Sequence, residues 1–154
     1  MNFEEIKMTQ TYTIKEVAER FDLTISTIHY YDKQGLLPFV AKNEAGYRVF
    51  TQSDLNFIHT ICCLKNTGMP IKDIRHYITL CMQGTSTIEK RKLLLLAHKE
   101  KIARQQQQLR ENMQEVDFKI DRYSSVAVKE EVAGEIAFVT QEKKALGLPS
   151  PFRQ

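Results

Sequence analysis

Three cysteines and four histidines are the side chains of this 154-residue chain best suited to covalent or metal chemistry. Cys62 and Cys63 are adjacent, and His59 lies four residues before Cys63. On a helix that offset brings two side chains within reach. An imidazolium beside a thiol favours the thiolate, the nucleophilic form. Helical phase separates the cysteines. Leu55, Ile58 and Cys62 form an apolar stripe, and Cys81 continues Ile71, Ile74 and Ile78, so both thiols are expected to fill core space. Cys63 has only polar neighbours on its own stripe, among them Asn56, Thr60 and Asn66, so it is expected to be accessible. Adjacent residues on a helix diverge by about 100°. Cys62 and Cys63 therefore cannot easily share one ion, and no metal site is expected. His29, His59, His76 and His98 fall on different elements, and no glycine-rich phosphate cradle is present. No paired acid–base set suggests an enzyme, and no cofactor is expected.

A second group of residues has non-covalent chemistry. Between Thr24 and Lys33, Ile25, Ile28 and Tyr31 or Asp32 follow helical spacing, so the isoleucines can face a core. Thr24, Ser26, Thr27, His29, Tyr30 and Lys33 are left to meet something polar, and Tyr31 divides evenly between core packing and a polar contact. Upstream, Thr13 and Glu16 have the spacing of a capping box, which opens a helix through Val17, Ala18 and Phe21. Asp22-Leu23 breaks it before Thr24 caps the next. Two short helices joined by a tight turn make a helix-turn-helix, whose second helix enters the major groove of DNA. After the polar loop 41–45, Gly46-Tyr47-Arg48-Val49-Phe50 predicts a hairpin or wing, and Gly46 is placed where a turn needs an unusual backbone angle.

Charge bears on how such a surface binds. Residues 1–80 hold nine Lys/Arg and nine Asp/Glu, and residues 81–154 hold thirteen and ten. The reading surface is not a basic brush, so affinity must come from a few placed contacts, most simply from two copies. No apolar run is long enough for a membrane span. The N-terminal residues lack the apolar core of a secretion signal. Three clustered cysteines make no disulfide framework, which suits a reducing cytosol.

The remaining organisation follows from breakers and period. Helices are expected at about 14–20, 24–34 and 52–67, the last stopped by Gly68, and another from Pro70 to Gly84. Ser86 and Glu89 have capping-box spacing. From about 87 to 125 there is no Gly or Pro, which predicts a helix of roughly 55 Å. Ile88, Leu95, Ile102, Leu109, Val116 and Tyr123 recur every seven residues, the period of a coiled coil. The companion positions are polar at Lys92, Lys99 and Gln106, then apolar at Met113 and Ile120. The second half should therefore hold the tighter contact, and the first half should pack partly on the globular body. The expected segments are an N-terminal extension (1–11), a winged helix-turn-helix (12–84), a dimerisation helix (85–125) and a tail (126–154). The tail would form a short helix or dock on the body.

Four stretches, in this order, resemble the MerR family of bacterial transcription regulators. They are Tyr12-Thr-Ile-Lys-Glu-Val-Ala18, Thr27-Ile-His-Tyr-Tyr-Asp-Lys-Gln-Gly-Leu-Leu37, Gly46-Tyr-Arg-Val-Phe50 followed by Asp54-Leu55, and Gly68-Met-Pro-Ile-Lys-Asp-Ile74. The resemblance implies a mainly α fold, a winged helix-turn-helix followed by a long helix that pairs antiparallel in a homodimer. It implies double-stranded promoter DNA as partner and RNA polymerase as an indirect one. Such dimers bend and untwist spacer DNA, working through its shape energy. By the same resemblance Tyr47 and Arg48 are phosphate clamps. His29 stands where many relatives carry Arg, which alters base preference, since His makes a single contact where Arg makes two. Cys63 falls where the aldehyde-responsive branch carries its reactive cysteine, which implies a small electrophile as effector. The alternatives are a regulator without thiol chemistry, a metal-responsive one, or a coiled-coil interaction module. The metal-responsive branch carries cysteines after the long helix, whereas residues 126–154 hold neither Cys nor His.

Overall fold

The capping box at Thr13 and Glu16 forms. Thr13 Oγ1 accepts from the Glu16 amide at 3.2 Å, and Glu16 Oε1 accepts from the Thr13 amide at 3.4 Å. It opens helix α1 (Ile14–Arg20) in a computed structural model that describes residues 10–153. The chain then turns at Asp22, whose φ of 52° is left-handed, a conformation aspartate tolerates better than most residues. Thr24 accepts from the Thr27 amide at 3.0 Å and caps α2 (Ile25–Lys33).

Three short strands follow the helical pair in space: β1 (Thr11–Tyr12), β2 (Ala41–Lys42) and β3 (Arg48–Thr51). The order is β1-β3-β2, both pairings antiparallel, with Tyr12 opposite Phe50 and Lys42 opposite Arg48. Thr11 pairs with Thr51. It belongs to the sheet, not to the expected extension, because a two-residue strand leaves no period to read in the sequence. Residues 1–9 of that extension lie outside the described residues.

Thr51 ends β3 and also caps α3 (Gln52–Asn66), in a second capping box with Asp54. Gly68 stops the chain's helical course with φ of 90°. Pro70, at the N-cap and not in the first turn, leads into α4 (Ile71–Met82). The Ser86–Glu89 box does not form. Residues Thr85–Thr87 make a 3-10 turn instead, and the buried Thr87 hydroxyl donates to the Leu80 carbonyl. Helix α5 (Ile88–Tyr123) runs 36 residues, and α6 (Val128–Ala145) runs 18. The tail is thus a full helix, with Val128, Val132, Ile136 and Val139 at helical spacing along one side, a stripe the sequence reading did not use.

Phe50, Leu36, Leu55, Ile58, Ile61 and Ile74 are fully buried and form the centre of one core. Leu94 and Leu95 of α5 pack on its edge. Two compact units divide between Ile102 and Ala103, inside α5. The first holds α1–α4, the sheet and the start of α5. The second holds the rest of α5 and α6, joined by Arg122 Nη2 to Glu135 Oε1 at 2.6 Å. That hydrogen bond holds the Glu135 carboxyl below the usual carboxylate range. In the second unit Leu109, Met113, Val116, Ile120 and Tyr123 are all exposed, and α6 has no buried residue.

Candidate DNA-binding interface

Helix α2 presents its polar residues because its apolar ones are used. Ile28 and Tyr31 are buried, the latter 6% exposed. Tyr31 is therefore a core residue, not a groove contact, and burial pushes its hydroxyl's pKa up, with Cys62 and Tyr30 adding to the effect. Ile25 is 41% exposed, so only the second isoleucine faces the core. It is the first residue of α2. Thr24, Ser26, His29, Tyr30 and Lys33 are exposed, and Thr27 is half-buried with its hydroxyl 2.8 Å from that of Thr24.

Two arginines fix the far end of this helix. Arg48 of β3 makes a bidentate pair with Asp32, Nη2 to Oδ1 at 2.7 Å and Nε to Oδ2 at 2.9 Å. Its Nη1 donates to the Val40 carbonyl. Arg75 of α4 donates to the Gln34 carbonyl and, at 3.1 Å, to Gln34 Oε1. The planar fork of arginine suits both tasks. Arg48 is thus a clamp between wing and α2. Its side chain stays about a quarter exposed, and its partner Asp32 lies on another element, a pairing that sequence order conceals.

The tip of the wing is closed on itself. Asn43 Oδ1 accepts from the Tyr47 amide at 3.0 Å, and the Asn43 amide donates to the Tyr47 carbonyl at 2.9 Å. Gly46 has φ of 86° with open space around it, so the turn needs glycine for its backbone angle alone. Tyr47 is 73% exposed. Between wing, α2 and the start of α1 lies a concavity of about 690 Å³. His29 and Asp32 line it from α2, Lys42 and Tyr47 from the wing, and Thr13 from the N-cap of α1. Lys42 escaped the sequence reading.

The thiols fall elsewhere on the first unit. Cys63 is exposed on α3, while Cys62 and Cys81 are half-buried, less enclosed than core packing predicts. Burial pushes the Cys62 thiol up, helped by Cys63. His59 is exposed, and among the described residues no hydrogen bond joins it to Cys63. Among the described residues no three His, Cys, Asp or Glu side chains gather as a metal group. No helix there is long and apolar enough to cross a membrane.

The comparisons with known proteins agree with this geometry. The family description "MerR HTH family regulatory protein" matches residues 12–80, and "MerR, DNA binding" matches 55–117. An uncharacterised HTH-type transcriptional regulator of Haemophilus influenzae is 36% identical, over 73% of this chain and 84% of its own. The transcriptional regulator AdhR of Bacillus subtilis is 35% identical, over 58% of this chain and 64% of its own. The crystal structure of HiNmlR, described as a MerR family regulator lacking the sensor domain and bound to promoter DNA, is 33% identical. It superposes with a TM-score of 0.70, over 90% of this chain and 97% of its own. With a winged helix-turn-helix, a long helix after it and relatives of this kind, the chain belongs to the MerR family of DNA-binding transcriptional regulators.

Proposed function

We propose that the chain acts as a homodimer on a near-palindromic promoter operator, distorting the spacer DNA, and that electrophile modification of Cys63 shifts its state. The row of exposed apolar side chains from Leu109 to Tyr123 carries this reading. Such a row on a monomer is a liability unless a second copy covers it. Antiparallel pairing of two α5 helices sets Ile88 against the partner's Tyr123, Leu95 against Val116, and Ile102 against Leu109. Those pairs are symmetric about one midpoint, as a two-fold axis requires. Two α2 helices then meet two half-sites. Ser26, His29 and Lys33 face base edges, while Thr24, Thr27, Tyr30 and Tyr47 hold phosphates.

With Arg48 committed to Asp32, Lys42 supplies the wing's phosphate charge. Lys42→Ala should weaken binding about equally across operator sequences and lower the salt-dependence slope by about one. An unchanged slope in fluorescence-anisotropy titrations would remove Lys42 from the interface.

The thiol reading rests on exposure. Brief treatment of the native protein with formaldehyde, methylglyoxal or iodoacetamide, followed by peptide mapping, should label Cys63 first. Cys62 should lag, because its thiol is half-buried and its pKa raised. If Cys63→Ser leaves the promoter response to aldehyde intact, the protein is a regulator without thiol chemistry. If zinc, copper(I) or mercury(II) binds tightly in dialysis, the metal reading returns.

A further inference from the structure

Helix α5 has 36 residues, and the only one of them buried is a histidine. His98 is 8% exposed, and its Nε2 lies 2.8 Å from Thr67 Oγ1. Thr67 is the C-cap of α3. Its Oγ1 is 2.8 Å from the Cys63 carbonyl and 3.2 Å from the Leu64 carbonyl, which also accept from the Thr67 and Met69 amides. When the hydroxyl proton goes to a carbonyl, the Thr67 oxygen accepts from His98 Nε2–H; in the other tautomer the hydroxyl donates to Nε2. Either way a hydrogen bond through Thr67 links α5 to the end of α3.

The other end of α3 is equally committed. Its N-cap, Thr51, is the last residue of β3, the strand that carries Arg48. Helix α3 is therefore anchored to the wing at one end and to α5 at the other. We propose that His98 is a positioning residue for DNA binding, coupling the placement of α5 to the placement of the wing through Thr67 and α3. The proposal goes beyond the operator and thiol reading and requires neither an electrophile nor a metal. It assigns a role to a buried polar side chain that packing alone would have made apolar.

The test uses the reduced full-length protein and three variants: His98→Leu, His98→Gln and Thr67→Val. Leucine keeps bulk and removes the hydrogen-bonding nitrogen. Glutamine places an amide N–H near the position of Nε2. Valine keeps the shape of threonine and removes only the hydroxyl. Hydrogen exchange is followed at the last turn of α3 and at wing amides 43–48, and affinity is measured on an operator fragment. His98→Leu and Thr67→Val should each speed exchange at both places by about tenfold, and weaken DNA binding by a similar factor. His98→Gln should restore both to within about threefold. Wild-type exchange in the wing of both His98→Leu and Thr67→Val would overturn the proposal. So would equal losses in the Leu and Gln variants, which would make His98 a matter of volume. The exchange measurement needs no DNA, so a failure to find any operator would count against the proposed function and not against this coupling.

Discussion

A protein carrying Val116→Glu and Ile120→Glu is expected to sediment as a monomer and to lose operator binding. Leu109, Met113, Val116, Ile120 and Tyr123 are each more than half exposed on the single chain. Covered by a partner, five such side chains contribute on the order of 10 kcal/mol. Two carboxylates in the middle of that row resist desolvation and repel their symmetry mates. Each half-site must then be bound alone, so apparent DNA affinity should fall by at least about a hundredfold. The first unit keeps its own core, so the melting of residues up to Ile102 should change little. Sedimentation velocity with a parallel anisotropy titration checks both halves of the expectation. A double variant that remains dimeric would move the interface away from this seam. Phe118, also exposed but off the seven-residue register, then becomes the next residue to change.

The second large effect concerns Asp32. Asp32→Ala leaves the Arg48 guanidinium with only the Val40 carbonyl. The pair is about a quarter exposed, so the loss is below that of a fully buried pair, about 2 kcal/mol. The melting temperature should drop by roughly 5–10 °C. DNA affinity should fall by about tenfold, because the wing is no longer referenced to α2. Arg48→Lys should not restore it, since an ammonium cannot span both carboxylate oxygens and a carbonyl. If Asp32→Ala melts and binds as the unaltered protein does while Arg48→Ala loses affinity, then Arg48 is a phosphate contact after all.

These residues also show where sequence reasoning reaches and where it stops. Local grammar was legible. The box at Thr13, the break at Asp22 and the stop at Gly68 are each decided within a few residues, so spacing exposes them, whereas the same spacing at Ser86 made no box because a 3-10 turn took its place. The seven-residue row along α5 was legible for the same reason. Arg48 was not. Its type and place beside Tyr47 fit a phosphate contact, and only the fold brings Asp32 under its fork. Ile25 is exposed where a core position was expected, and the open choice at Tyr31 falls to core packing, because the phase of a nine-residue helix is uncertain by a fraction of a turn. His98 was passed over, although it stands three and four residues after Leu95 and Leu94 and four before Ile102, on the apolar side of the helix. Its partner Thr67 lies 31 residues earlier, beyond the reach of spacing. Lys42 was missed because hairpin register places it opposite Arg48, and register was not available from two-residue strands.

The self-closed tip between Asn43 and Tyr47 has a consequence for how such regulators diversify. Its backbone bonds and the Asn43 side chain are satisfied within five residues, and the root of the hairpin is secured separately by Arg48. The tip is in effect an interchangeable part. Its sequence can drift, lengthen or be transplanted between related chains without disturbing the body that carries it. The strength of the grip on the DNA backbone can therefore be tuned by trading a few residues at the edge of the molecule, while the base-reading helix beneath stays as it was.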